Sequence, residues 1–188
     1  MCHYCAENLS LKEKDLILGC IREDQTCQKL LFEQFAPKMF TLCRRYARHH
    51  MEAEDMLQDG FVKVFDNLKQ FQGKGSFEGW VRRIMVNTAL KYYRKSSFQK
   101  EQIGFEDYQV GSVAPEAISS LGEEEIMALI AKLPDGYRVV FNLYVLEGYS
   151  HSEIAESLNI AESTSRSQLV KARKMLQKRV LQSLKVRI

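Results

Sequence analysis

The stretch Ser150-His151-Ser152-Glu153-Ile154-Ala155-Glu156-Ser157-Leu158-Asn159-Ile160-Ala161-Glu162 decides the fold. Ser150 with Glu153 three residues later is a capping box, in which each side chain satisfies an orphan amide at a helix start. Ile154, Ala155 and Leu158 form the apolar side of a short helix. Asn159 stands where a tight turn needs a residue that tolerates left-handed geometry, and Ile160 plugs the gap behind it. A longer basic helix follows, with Leu169, Ala172, Met175 and Leu176 inward. Short helix, tight turn and longer basic helix form the arrangement that lays its second helix in the DNA major groove. Arg166, Ser167, Val170, Lys171 and Lys174 take the outward face. Arginine and lysine can pair with guanine edges, and valine can touch a thymine methyl. The competing reading is an ordinary helical hairpin with a solvated basic face.

Working outward, period-3.6 apolar spacing recurs along most of the chain and period-2 alternation is nearly absent. The spacing predicts helices over 11–21, 26–48, 52–71, 77–95, 124–132 and 135–147. Pro37 predicts a kink or a break in the second. The segment Gln72-Gly73-Lys74-Gly75-Ser76 reads as a loop, and Trp80 falls on an apolar stripe and is assigned to the core. From Ser96 to about Leu121 the periodicity fails and Ser, Gly and acidic residues accumulate, which marks a linker. The expected fold is all-α: two small helical domains joined by a flexible acidic linker. Their bounds are a tail at 1–10, a first domain at 11–95, the linker at 96–122 and a second domain at 123–188.

The chain has 188 residues, with 27 Lys+Arg against 24 Asp+Glu. That size holds one medium domain or two small ones. The near balance hides clustering. Residues 77–95 carry five basic side chains and one acidic, and 162–188 carry eight and one, whereas 96–125 carry one and seven. Two basic segments flanking an acidic one tilt the reading toward a phosphate-backbone binder. No apolar run approaches the roughly 20 residues of a membrane span. The N-terminus has no signal-peptide pattern, so the expected location is the cytoplasm, without membrane insertion. The five cysteines, Cys2, Cys5, Cys20, Cys27 and Cys43, are odd in number and read as thiols rather than a disulfide framework.

The second half resembles region 4 of bacterial RNA polymerase sigma factors of the extracytoplasmic-function group. The resemblance is carried by Leu133-Pro134, Tyr137-Arg138-Val139-Val140-Phe141, Leu146-Glu147-Gly148-Tyr149-Ser150, Glu153-Ile154-Ala155, Leu158-Asn159-Ile160, Thr164, Arg166-Ser167 and Lys171-Ala172-Arg173-Lys174-Met175-Leu176. The first half is similar to region 2 of the same group through Ala53-Glu54-Asp55-Met56-Leu57-Gln58-Asp59-Gly60-Phe61, Phe71, Gly75-Ser76-Phe77, Trp80-Val81, Ile84 and Asn87-Thr88-Ala89. The likeness covers about residues 11–180. It departs from the family pattern at Ala161, where Ser or Pro is common, at Ser165, where Val is usual, and at Gln168, where Arg or His is frequent. These departures bear on the −35 sequence preference.

The resemblance implies an alternative sigma factor, a subunit without catalytic residues or cofactor that brings core RNA polymerase to promoter DNA and opens it. It implies that Asp55, Gln58, Asp59, Val62 and Lys63 dock on the β′ clamp helices, and that the β flap is a second polymerase contact. Carboxylates suit an Arg-rich partner, and Gln offers both donor and acceptor. It implies that Gly73, Lys74, Gly75, Ser76 and Phe77 form a pocket for a −10 base, with Asn87 on the non-template strand. Arg83, Lys91, Tyr92, Arg94 and Lys95 would hold phosphates. Arg166, Ser167, Val170, Lys171 and Lys174 would meet the −35 element. An anti-sigma factor is a further candidate partner.

Two other classes compete. One is a helix-turn-helix regulator whose first half serves dimerisation or sensing; the loop and helix from Phe71 to Asn87 argue against it, because a duplex-only regulator has no use for a single-strand pocket. The other is a metal sensor built on Cys2, His3 and Cys5. A closed zinc site wants four ligands, which Cys20, Cys27 or His49 would have to complete, so a frayed terminus with thiols is preferred and no metal is expected.

Overall fold

The structure, a computed structural model, describes residues 13–97 and 122–185. Most of the expected linker, the Cys2/His3/Cys5 segment and the Lys95 side chain lie outside the described residues. The chain divides into two compact units, 1–91 and 92–188. Among the described residues all regular structure is helical, and no helix is long and apolar enough to cross a membrane.

The first unit comprises α1 (Glu13–Ile21), α2 (Gln25–Tyr46), α3 (His50–Asn67), a 3-10 turn at Leu68–Gln70, and α4 (Phe77–Ser97) as far as Lys91, the rest of that helix falling in the second unit. Asp24 starts α2 by accepting from the amides of Thr26 at 2.8 Å and Cys27 at 3.0 Å. The helix then runs through Pro37 without a break, so of the kink or break expected there the break does not occur. Proline removes one amide donor, but Pro37 is on the exposed side of α2, where solvent can serve the carbonyl it leaves unpaired. The α2, α3 and α4 faces close on Leu31, Phe35, Met39, Met56, Val64, Val81 and Met85, all buried. Gly60 lets α3 approach α4: a Cβ there would overlap Met85 Sδ.

At the head of α3, the Arg48 amide donates to Glu52 Oε2 at 2.6 Å and the Arg48 guanidinium donates to Oε1 at 2.8 Å. Burial works against the Glu52 carboxylate, but the hydrogen bonds and charge of Arg48 outweigh it and hold the carboxyl below its ordinary range. Cys20, Cys27 and Cys43 are buried and form no disulfide, and burial pushes the Cys43 thiol up to about 12.

The second unit comprises α5 (Glu123–Ala131), α6 (Asp135–Phe141), a π-helical turn at Asn142–Leu146, α7 (His151–Leu158) and α8 (Glu162–Lys185). The helix expected over 135–147 thus changes pitch at Asn142. It stops at Gly148, whose φ of 75° suits glycine, and the Tyr149 amide donates back to the Leu143 carbonyl at 2.9 Å. Arg138 is buried at the α5–α6 corner, donating to the Ala131 carbonyl and to Asp135 Oδ1, each at 3.1 Å. The capping box forms: Ser150 Oγ accepts from the Glu153 amide at 3.2 Å, and Glu153 Oε2 accepts from the Ser150 amide at 2.8 Å. Asn159 is left-handed, φ 54° and ψ 50°.

Candidate nucleic-acid and polymerase surfaces

On α3, Asp55, Gln58, Asp59 and Val62 are exposed together, Val62 at 59 %. They share one side of the helix, since residues three and four apart are neighbours. Lys63 departs from this group. Its ammonium donates to Thr88 Oγ1 on α4 at 2.8 Å. Burial and the nearby Lys91 charge lower its pKa, with Asp59 opposing. Its charge therefore sits in the seam between α3 and α4.

The loop before α4 turns through two left-handed glycines, Gly73 at φ 70° and Gly75 at φ 85°. Residues 72–76 are exposed, and nothing lies within 4 Å of a Cβ built on either glycine. The loop backbone is thus open to a ligand. Ser76 ends the loop by accepting from the Gly79 amide at 3.1 Å through Oγ, as a helix cap does. Phe77 corrects the sequence expectation. Its ring is 0 % exposed, packed edge-on against Phe35 and Phe71 and stacked on Trp80 at 5.6 Å. A ring enclosed on all sides has no face to offer a base, so Phe77 supports the loop from beneath. Trp80 is half-buried rather than a full core residue.

Beyond the loop, Arg83, Asn87, Lys91 and Arg94 are all exposed. At 3.6 residues per turn they fall within about 80° of one another around α4, a single basic stripe with an amide in it. Tyr92 lies on the opposite side of that helix and is half-buried, so it does not join the stripe.

On α8, Arg166, Ser167, Val170 and Lys174 are exposed, Val170 at 52 %. Arg166 pairs with Glu162 one turn earlier. Ser167 Oγ donates to the Thr164 carbonyl at 3.0 Å. Lys171 is half-buried at the margin of this face. Two more residues bear on this helix: Ser163, absent from the sequence expectation, and Ser165, named there only as a departure from the family pattern. Ser163 is exposed on the same face, one turn before Arg166 and Ser167, and its i−3, i−4 spacing was the available signal. Ser165, 0 % exposed, shares a 2.9 Å hydrogen bond with His151 Nδ1, a pairing between elements that no local pattern announces.

Comparison with known proteins identifies the family of the chain. Residues 31–99 match sigma-70 region 2, and residues 123–176 match sigma-70 region 4. The chain is 29% identical over 182 residues to the ECF RNA polymerase sigma-E factor of Haemophilus influenzae, covering 90% of this chain and 96% of that protein. It is 32% identical over 152 residues to the ECF RNA polymerase sigma factor SigE of Mycolicibacterium smegmatis, covering 78% and 58%. Among solved structures, the sigma factor RpoE of Bartonella quintana, in complex with the anti-sigma factor NepR, superimposes with a TM-score of 0.50 at 21% identity, covering 82% of this chain and 96% of that one. That likeness concerns the fold. Two regions of one family match in the order the helices require, and the chain belongs to the extracytoplasmic-function group of the sigma-70 family.

Proposed function

We propose that this sigma factor divides its work among three surfaces. Asp55, Gln58, Asp59 and Val62 on α3 seat the β′ clamp helices. The loop at Gly73–Ser76 and the stripe of Arg83, Asn87, Lys91 and Arg94 hold the −10 strand. Arg166, Ser167, Val170 and Lys174 meet the −35 duplex, with Lys171 on a flanking phosphate. The working domains are 11–95 and 123–188, joined by 96–122, and the β flap contacts the second of them.

The observation that carries this reading is the glycine loop beside the basic stripe of α4. Duplex binding needs only a groove-reading helix. A left-handed loop that offers its backbone, next to cations in register, suits an unpaired strand whose base has left the stack. The chemistry supplied is binding energy spent on the melted promoter, so the chain acts as a non-catalytic specificity subunit in the cytoplasm. An anti-sigma factor of the kind bound to the Bartonella protein is proposed as a regulatory partner.

Run-off transcription with core polymerase and a promoter library tests the reading. The expected result is defined transcripts only when the chain is present. Duplex binding without polymerase association or transcript would instead establish a helix-turn-helix regulator.

A further inference from the structure

Ser165 is a fully buried polar residue. A hydroxyl there is costly unless it is paired. Its partner is His151 Nδ1, 2.9 Å away. His151 is the first residue of α7 and Ser165 lies in the first turn of α8, so this bond ties the starting turns of both helices of the motif. The imidazole is stacked on Tyr144 of the π turn, with centroids 4.4 Å apart and 22° between planes. The Arg173 guanidinium lies over the Tyr144 ring, 5.9 Å from its centre. Arg173 belongs to α8 again, about two turns beyond Ser165. A single run of contacts thus leaves α8 at Ser165, passes through His151 and Tyr144, and returns to α8 at Arg173.

We infer that His151 is a positioning residue for −35 recognition: held by Ser165 and Tyr144, it sets the height and roll of α8 and so decides which base edges Arg166 and its neighbours reach. The inference rests on the reading of α8 as the −35 helix. Arg166 follows Ser165 directly in the chain, so a turn of the helix at 165 displaces it. Base readout needs side chains held to within about 0.5 Å. The valine usual at this position in the family pattern would fill the space without tying the helices by a hydrogen bond.

The ring's charge state bears on the bond. With the proton on Nε2, Nδ1 accepts from the serine hydroxyl. Protonation makes Nδ1 a donor, and Ser165 must turn its own hydrogen elsewhere. Burial and the charges of Arg166 and Arg173 on α8 disfavour the imidazolium, Glu162 on the same helix favours it, and the ring's pKa lies below that of ordinary histidine. Glu153 on α7 is engaged by Ser150, and the π turn presents the Tyr144 ring. The neutral ring is therefore fully present above the ordinary histidine pKa, and its contribution is lost as pH falls through the lowered one.

The test uses holoenzyme assembled from the full chain and core polymerase, selecting from duplexes randomised at −35 with a fixed −10 element. Ser165→Thr and Ser165→Val are nearly the same shape, so their comparison isolates the hydroxyl. Ser165→Thr is expected to keep the wild-type selection. Ser165→Val and His151→Phe are expected to lose roughly tenfold in discrimination against single-base changes, with binding to random-sequence duplex altered by less than about twofold. Wild-type discrimination is expected to hold from about pH 8 down to the ordinary histidine range, about 6.5, and to decline only as pH falls further, with the His151→Phe profile flat throughout. Thermal melts identify any variant that does not fold; if Ser165→Val is one, the His151→Phe selection and the two pH profiles decide. Wild-type discrimination in both His151→Phe and Ser165→Val, or identical pH profiles for wild type and His151→Phe, overturns the inference alone. A wild-type holoenzyme with no −35 preference overturns the −35 reading, and the inference with it.

Discussion

Lys63 and Thr88 are joined across the α3–α4 seam: the ammonium donates to Thr88 Oγ1 at 2.8 Å, and the same hydroxyl donates to the Ile84 carbonyl at 2.9 Å. Lys63 is thereby held toward Lys91, whose charge lowers its pKa after burial does. We predict that Lys63→Ala leaves the affinity for core polymerase within about twofold, because the proposed docking face consists of Asp55, Gln58, Asp59 and Val62. The salt dependence of the open complex should become shallower by about one phosphate contact. Polymerase pull-down and open-complex lifetimes at several salt concentrations check this. A fall in polymerase affinity matching that of Asp55→Ala would return Lys63 to the docking face.

The Arg48–Glu52 pair gives the first unit an acid-sensitive joint. The Glu52 carboxyl is held below its ordinary pKa. Its contribution is therefore complete above the unfolded value and is lost as pH falls through the folded one. Glu52→Gln should cost about 1–2 kcal/mol at neutral pH and flatten the acid limb of the stability profile. The chain has one tryptophan, Trp80 in the first unit, so its fluorescence in urea titrations at several pH values isolates this unit. An unchanged acid limb in the variant would show that other carboxylates set it.

The loop glycines act through backbone conformation. Nothing crowds a Cβ at Gly73 or Gly75, yet both have positive φ. Gly75→Ala should therefore strain the loop by roughly 1 kcal/mol, whereas Gly75→Asn, which tolerates left-handed geometry, should cost less. Promoter opening, read by permanganate footprinting, should follow that order while −35 duplex binding stays constant. Equal opening by both variants would show that the loop conformation is not used.

What the sequence made legible was whatever depends on spacing along one helix. The capping box at Ser150 and the left-handed Asn159 are local patterns, and each forms. Phe77, which the resemblance implies for the −10 pocket, is enclosed instead. Its i+4 and i+8 neighbours, Val81 and Met85, are core residues, and that periodicity was the better guide. Pro37 does not break α2, because it sits on the exposed side, where solvent can satisfy the carbonyl it frees. The His151–Ser165 bond and the Lys63–Thr88 bond join residues 14 and 25 apart on different helices. Such pairs follow from packing and leave no mark on the periodicity of either helix.

Arg166 and Glu162 make the last prediction. In the free chain the Arg166 guanidinium pairs with Glu162 at the start of α8. Both side chains are solvent-exposed, so the pair itself contributes little to stability. On DNA, however, Arg166 must choose between that carboxylate and a base edge, and Glu162 adds a negative charge near the phosphates. Glu162→Gln should therefore strengthen binding to all duplexes alike, with little change in sequence preference. Arg166→Ala should cost about 1–3 kcal/mol and relax preference at one base pair if the guanidinium is bidentate to guanine. Lys171→Ala, at the margin of the face, should weaken binding evenly and flatten the salt slope. Selection of −35 variants by the three mutant holoenzymes, repeated at two salt concentrations, separates these outcomes. If Arg166→Ala keeps both wild-type preference and wild-type salt slope, Arg166 does not meet DNA, and the groove-facing register of α8 must be turned toward Ser163 and Val170.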